Sequence, residues 1–172
     1  MHLTELLREH REAILDRWFD LIVKTYPGLS SVFLHKKQRW GNPVGTNIED
    51  AIAGLYDELL KDEAGENLAP QLDRVVRIRS VQEYSPSEAV AILIFIKHVV
   101  REHFTEQINA GEVPVAEVLR FESKVDSMML VAFDIYTKCR NQLFELRLED
   151  FKRHFSGVLR QKGITVDYPK FE

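Results

Sequence analysis

From Val115 to Ser156 the chain contains neither glycine nor proline, and Gly157 is the first residue to interrupt the run. An apolar period of helical spacing sustained over about forty residues predicts one long helix along which the rest of the chain must be arranged. That helix carries two apolar seams. Val125, Met129, Ala132, Tyr136, Cys139, Leu143 and Leu146 recur in alternating steps of four and three, and Phe144, Leu148, Phe151, Phe155 and Val158 repeat the alternation on another face. The two faces are turned about 100° from one another. A helix docked along its own bundle needs only the first seam. The second is expected to meet another helix, and a second copy of the chain is the favoured partner.

The other segments are helical too. Leu3, Leu7, Ile14, Trp18, Leu21 and Ile22 predict a long amphipathic helix over 3–26, halted by Pro27 and Gly28. Thr46, three residues before Glu49, suggests a capping box opening a helix over 47–61. Leu68, Leu72, Val75, Val76, Ile78 and Val81 mark another over 68–83. In "YSPSEAV", Ser85 is the expected N-cap, Pro86 the first helical residue and Glu88 the reciprocal cap. The helix that follows, to about residue 108, is apolar on nearly every side at its start, which places it in the middle of the bundle. "NAGEVP" at 109–114 separates it from the long helix. The expected fold class is therefore all-α: a single helical bundle over residues 1–160 with a long C-terminal helix, followed by a short tail at 161–172.

Function classes fall away on charge and motif. A length of 172 residues, 45% of them hydrophobic, suits one core. A net charge of −4 and a pI near 5.9 give no electrostatic footprint for nucleic acid. The longest apolar run, 89–96, is too short to cross a bilayer, and the charged N-terminus is unlike an export signal, so cytoplasm is the expected location. "GNPVGT" lacks the strand and spacing of a phosphate loop and reads as a corner, with Gly41 and Gly45 free to adopt positive φ and Asn42 extended before Pro43. The histidines, at 2, 10, 35, 98, 103 and 154, form neither "HExxH" nor a pair four apart. Cys139, the single cysteine, lies on the first seam as a small hydrophobe. Asp57 and Glu58, like Glu149 and Asp150, diverge as adjacent helical positions and are expected on solvated faces. Arg74, Arg77 and Arg79 are expected to pair with Asp57, Glu58 or Glu83. His98, with Phe95, Met128 and Met129 for walls, is compatible with axial haem ligation; a partly exposed histidine beside Lys97 and Arg101 is the plainer reading.

Four stretches, "ILDRWFDLIVKTYP", "FLHKKQRWGNPVGTNI", "RVVRIRSVQEYSPSEAV" and "AFDIYTKCRNQLFELR", together resemble the N-terminal domain of the RsbRD type, from co-antagonists of the RsbT switch kinase. The resemblance runs from about Ala13 to Arg153 and places Trp18, Asn42, Pro43, Gly45, Arg79, Gln82, Ser85 and Pro86 at signature positions. It implies a helical domain similar in role to globin-like stressosome sensors, normally followed through a linker helix by a STAS domain. After the linker helix and its tail no STAS region is expected in this chain. The second seam, Phe144 to Val158, occupies the linker position at which family members are expected to dimerise.

These readings converge on a non-enzymatic regulatory or sensory domain. It is expected to act through a bacterial regulatory protein partner as a homodimer, without nucleic acid, membrane insertion or cofactor. The alternatives are a haem- or small-ligand-binding globin-like sensor and a structural adaptor of a larger, possibly redox, complex.

Overall fold

The computed structural model describes residues 2–26, 43–61, 68–82, 84–161 and 163. Among them the order is α1 (Leu3–Glu9), α2 (Arg11–Val23), α3 (Pro43–Leu59), α4 (Leu68–Val81), α5 (Pro86–His103), α6 (Thr105–Asn109) and α7 (Val115–Gln161). No described residue is in a strand. The chain is all-α. Helix α5 lies against both α2 and α7, α4 joins α3 to α7, and α2 touches α3, and one apolar core is shared by these five helices and α1.

The first helix is not continuous. His10, at φ −96° and ψ 17°, bends the chain between α1 and α2. Its N–H still reaches Leu6 O at 2.9 Å and its carbonyl accepts from Ile14 at 3.1 Å, so the hydrogen-bond ladder survives the bend. The bend lets Leu3, Leu6 and Leu7 bury in the same core as Ile14, Trp18 and Ile22. Helix α2 ends at Val23 and unwinds into tighter bonds, Thr25 N–H to Ile22 O and Tyr26 N–H to Val23 O, both 3.0 Å. The predicted stop at Pro27 and Gly28 lies outside the described residues.

Helix α3 also departs from expectation. It begins at Pro43, so Thr46 sits inside the first turn and does not cap, and Gly45 is a buried helical residue rather than part of a corner. Proline has no N–H to leave unsatisfied and is well suited to a helix's first residue. Gly41 and Asn42 lie outside the described residues. Gly54 brings α3 close to α4: a Cβ there would stand 2.8 Å from the Gln71 side chain. The cap of α5 is as expected: Ser85 Oγ accepts the Glu88 N–H at 3.3 Å, and the Glu88 carboxylate accepts the Ser85 N–H at 2.9 Å. Its far end stops short at His103, where Phe104 turns the chain into the single turn of α6.

Helix α7 is 47 residues long and runs through Gly157. Val118, Phe121, Val125, Met128, Ala132, Tyr136 and Cys139 bury against the bundle, with Met129 and Leu143 half-buried beside them. Leu146, counted in the first seam, is 59% exposed. The seam ends because the bundle does: Arg140, donating to Ser80 O at 3.2 Å, makes the last described hydrogen bond from α7 to another helix. Beyond it the helix projects as an arm.

Candidate interaction surface on the last helix

On that arm every residue of the second seam is solvent-exposed. Phe144 is 67% and Phe151 65% exposed, and Leu148, Phe155 and Val158 are exposed as well. The rings of Phe151 and Phe155 stack on one another, centroids 5.8 Å apart and planes 10° from parallel. The stripe does not begin at Phe144. Leu130, 72% exposed, and Phe133, also exposed, precede it by about four and about three helical turns and therefore lie on the same face. Sequence reasoning missed these two because each neighbours a residue of the core seam. The signal was whole-turn spacing from Phe144.

Where the arm leaves the bundle, a polar cluster ties four helices together. Arg79 is only 1% exposed, and none of its hydrogen bonds goes to a carboxylate. It donates to Thr25 Oγ1 at 3.0 Å and to Glu88 O at 3.1 Å, and its guanidinium lies 5.0 Å and 4.0 Å from the ring centres of Tyr26 and Tyr84. A planar, weakly hydrated cation suits such a site better than lysine's compact ammonium. Burial pushes both tyrosine hydroxyls above their usual pKa, with Arg79 pulling in the opposite direction. Tyr84 donates to Thr25 O at 3.2 Å, and Tyr136 of α7 donates to Tyr84 O at 2.5 Å. The cage thus links the end of α2, the end of α4, the start of α5 and the root of the arm.

The expected arginine pairs are corrected accordingly. Arg77 pairs one turn back with Asp73 at 2.8 Å, and Arg74 donates to Gln71 and Asn47. Asp57 instead holds Arg11 through two 2.9 Å bonds, and Glu58 is paired with Lys61 at 2.6 Å. Glu83 lies outside the described residues. Of the other signature positions, Trp18 is fully buried, Gln82, Ser85 and Pro86 are exposed around the start of α5, and Pro43 opens α3. His98 is exposed; Phe95 is half-buried and Met128 buried in the core. Among the described residues no group of three His, Cys, Asp or Glu is placed to hold a metal ion, and no helix is long and apolar enough to cross a membrane.

The signature residues that build this cage and the α5 cap fall within a match, over residues 12–150, to the family described as the RsbT co-antagonist protein rsbRD N-terminal domain. The chain belongs to this family. As an RsbRD N-terminal domain it is of a signalling type, associated with stressosome regulation. An uncharacterized protein of Archaeoglobus fulgidus is 22% identical over 143 residues, 81% of this chain and 83% of that protein. No solved structure matches.

Proposed function

We propose that this RsbRD N-terminal domain is a non-enzymatic cytoplasmic signalling module that works by protein contact, pairing with a second copy of itself along the exposed face of α7. The carrying observation is the stripe from Leu130 to Val158, which places Leu130, Phe133, Phe144, Phe151 and Phe155 in water on one side of one helix. Pairing two such stripes would remove on the order of 1,200–1,500 Å² of surface, the range of stable interfaces. The seam's four-three step is the geometry in which two helices interlock. An input to the bundle would reach the arm through the cage at its root, shifting how the paired arms are presented to a regulatory protein. No cofactor enters this reading.

Light scattering at a concentration well above any plausible dissociation constant tests it. The wild type should have twice the mass of the chain. Phe151→Glu with Phe155→Glu should halve that mass while helicity and melting stay near wild type, because both rings are exposed and neither belongs to the core. A monomeric wild type, or a double variant that unfolds, removes the pairing.

A further inference from the structure

Two helix breaks meet at one contact. His10 joins α1 to α2, His103 is the last residue of α5, and His103 Nε2 lies 3.0 Å from His10 Nδ1. The imidazole centroids are 4.8 Å apart at 67°, and the buried ring of Phe104, the residue that turns α5 into α6, stands edge-on to both, at 5.4 Å from His10 and 4.8 Å from His103. Such a contact holds one proton between two nitrogens and requires one of them to be unprotonated. A second proton makes both nitrogens donors of like charge at hydrogen-bond distance, and the contact must open.

The charged groups nearby are engaged elsewhere. Arg11, next to His10, is held by Asp57 of α3. Of the residues beside His103, Glu102 pairs with Arg17 of α2 and Arg101 with Glu122 of α7. Glu9, Glu12 and Glu106, on α1, α2 and α6, are on the surface and make no described hydrogen bond to either ring. Burial, and then the charge of His10, hold the His103 imidazole below its ordinary pKa. We propose that His10 and His103 form a proton-operated clasp between the α1–α2 junction and the α5–α6 junction, shut while either imidazole is neutral and opened by the second proton. The element released is α1. Away from the clasp it is tied by Tyr56 Oη donating to Leu7 O at 2.7 Å and by the Leu3 N–H to Glu117 at 2.6 Å, besides the burial of three leucines. The clasp stands whether or not the last helix pairs.

A group whose folded pKa is depressed contributes stability above its unfolded value, here that of an ordinary histidine. That stability is lost as pH falls from there to the folded value. Hydrogen exchange and denaturant melts between pH 8 and pH 5 on the wild type and on His103→Gln, which keeps a donor at the Nε2 position without titrating, provide the test. The wild type should lose protection at amides 3–10 by up to about tenfold per pH unit below the ordinary histidine value, the limit for one proton. His103→Gln should stay flat there. Both proteins retain His2 and its contact with Glu117, so that contact is common to the comparison. Equal pH dependence in the two proteins overturns the clasp. Should His103→Gln fail to fold, imidazole NMR on the wild type decides: a His103 ring that titrates below an ordinary histidine supports the clasp, and one that titrates as an ordinary histidine ends it.

Discussion

Trp18 donates its indole N–H to the main-chain carbonyl of Ile92 at 2.8 Å, so the fully buried ring of α2 is fixed in place by the helix it packs against. The bond gives the largest core side chain a polar tie in the middle of α5, where apolar packing alone would let the ring rotate or slide. Removing the ring and removing the bond are separable. Trp18→Ala should cost about 3–5 kcal/mol, as large aromatic truncations do, and Trp18→Phe, which loses chiefly the hydrogen bond and part of the ring, about 1–2 kcal/mol. Urea melts of the two variants check the ordering; a phenylalanine variant as stable as the wild type would mean that the bond contributes nothing.

The Arg79 cage combines two hydrogen bonds with two ring contacts around a buried charge. Arg79→Lys keeps the charge but cannot reproduce the planar stack or the two divergent donors, so it should destabilise nearly as much as Arg79→Met, each by about 2–4 kcal/mol. A lysine variant as stable as the wild type would show that charge alone matters. Tyr136→Phe should cost about 1 kcal/mol and raise hydrogen exchange in α7 around residue 136, because it cuts the one described bond from the cage to that helix.

Much of this architecture is written locally. The α5 cap is legible because Ser85 and Glu88 satisfy one another within one turn that Pro86 opens, and α7 because neither glycine nor proline occurs in it before Gly157. What escaped depends on distant residues. The bend at His10 has no glycine or proline to announce it; it is set by Phe104 and by the core that Leu3 and Ile14 both join. Arginine on an amphipathic helix ordinarily finds a carboxylate, and only the tertiary approach of Thr25, Tyr26 and Tyr84 makes a site for Arg79 without one. Leu146 fits the first seam in period but lies past the end of the bundle, which sequence spacing does not reveal.

Acid should act on the contact between α5 and α7. The Glu122 carboxylate lies against Arg101, whose Nη2 donates to it at 2.6 Å, and these bonds hold its pKa below the usual range against the opposing effect of burial. A depressed carboxylate contributes stability that is present above its unfolded value and lost as pH falls through the folded one. Stability of the wild type should therefore decline as pH falls below about 4.5. Glu122→Gln should be less stable at neutral pH and show a shallower acid limb. Melting both from pH 7 to pH 3 checks the sign; a limb of unchanged steepness would place the acid sensitivity in other carboxylates, of which Glu88 and Glu117 are also held low.

The reach of the proposed pairing surface can be tested on the bundle itself. If contact is confined to the arm, Leu130 and Phe133 stay in water in the dimer and changing them to serine is neutral for association. If the whole stripe is used, each of these side chains leaves water when the copies meet, and the double change Leu130→Ser with Phe133→Ser should weaken pairing by about 2–4 kcal/mol, roughly thirty- to a thousandfold in dissociation constant. Neither side chain packs in the core, so the fold of the monomer should be untouched. Val81 is exposed at the end of α4, on a different helix from the stripe, and Val81→Ser is the control for a general loss of surface apolarity. Sedimentation over a concentration series on the three proteins separates the cases. Weakening by the double variant alone extends the surface along the bundle to Leu130, whereas no change in either variant confines it to Phe144 through Val158.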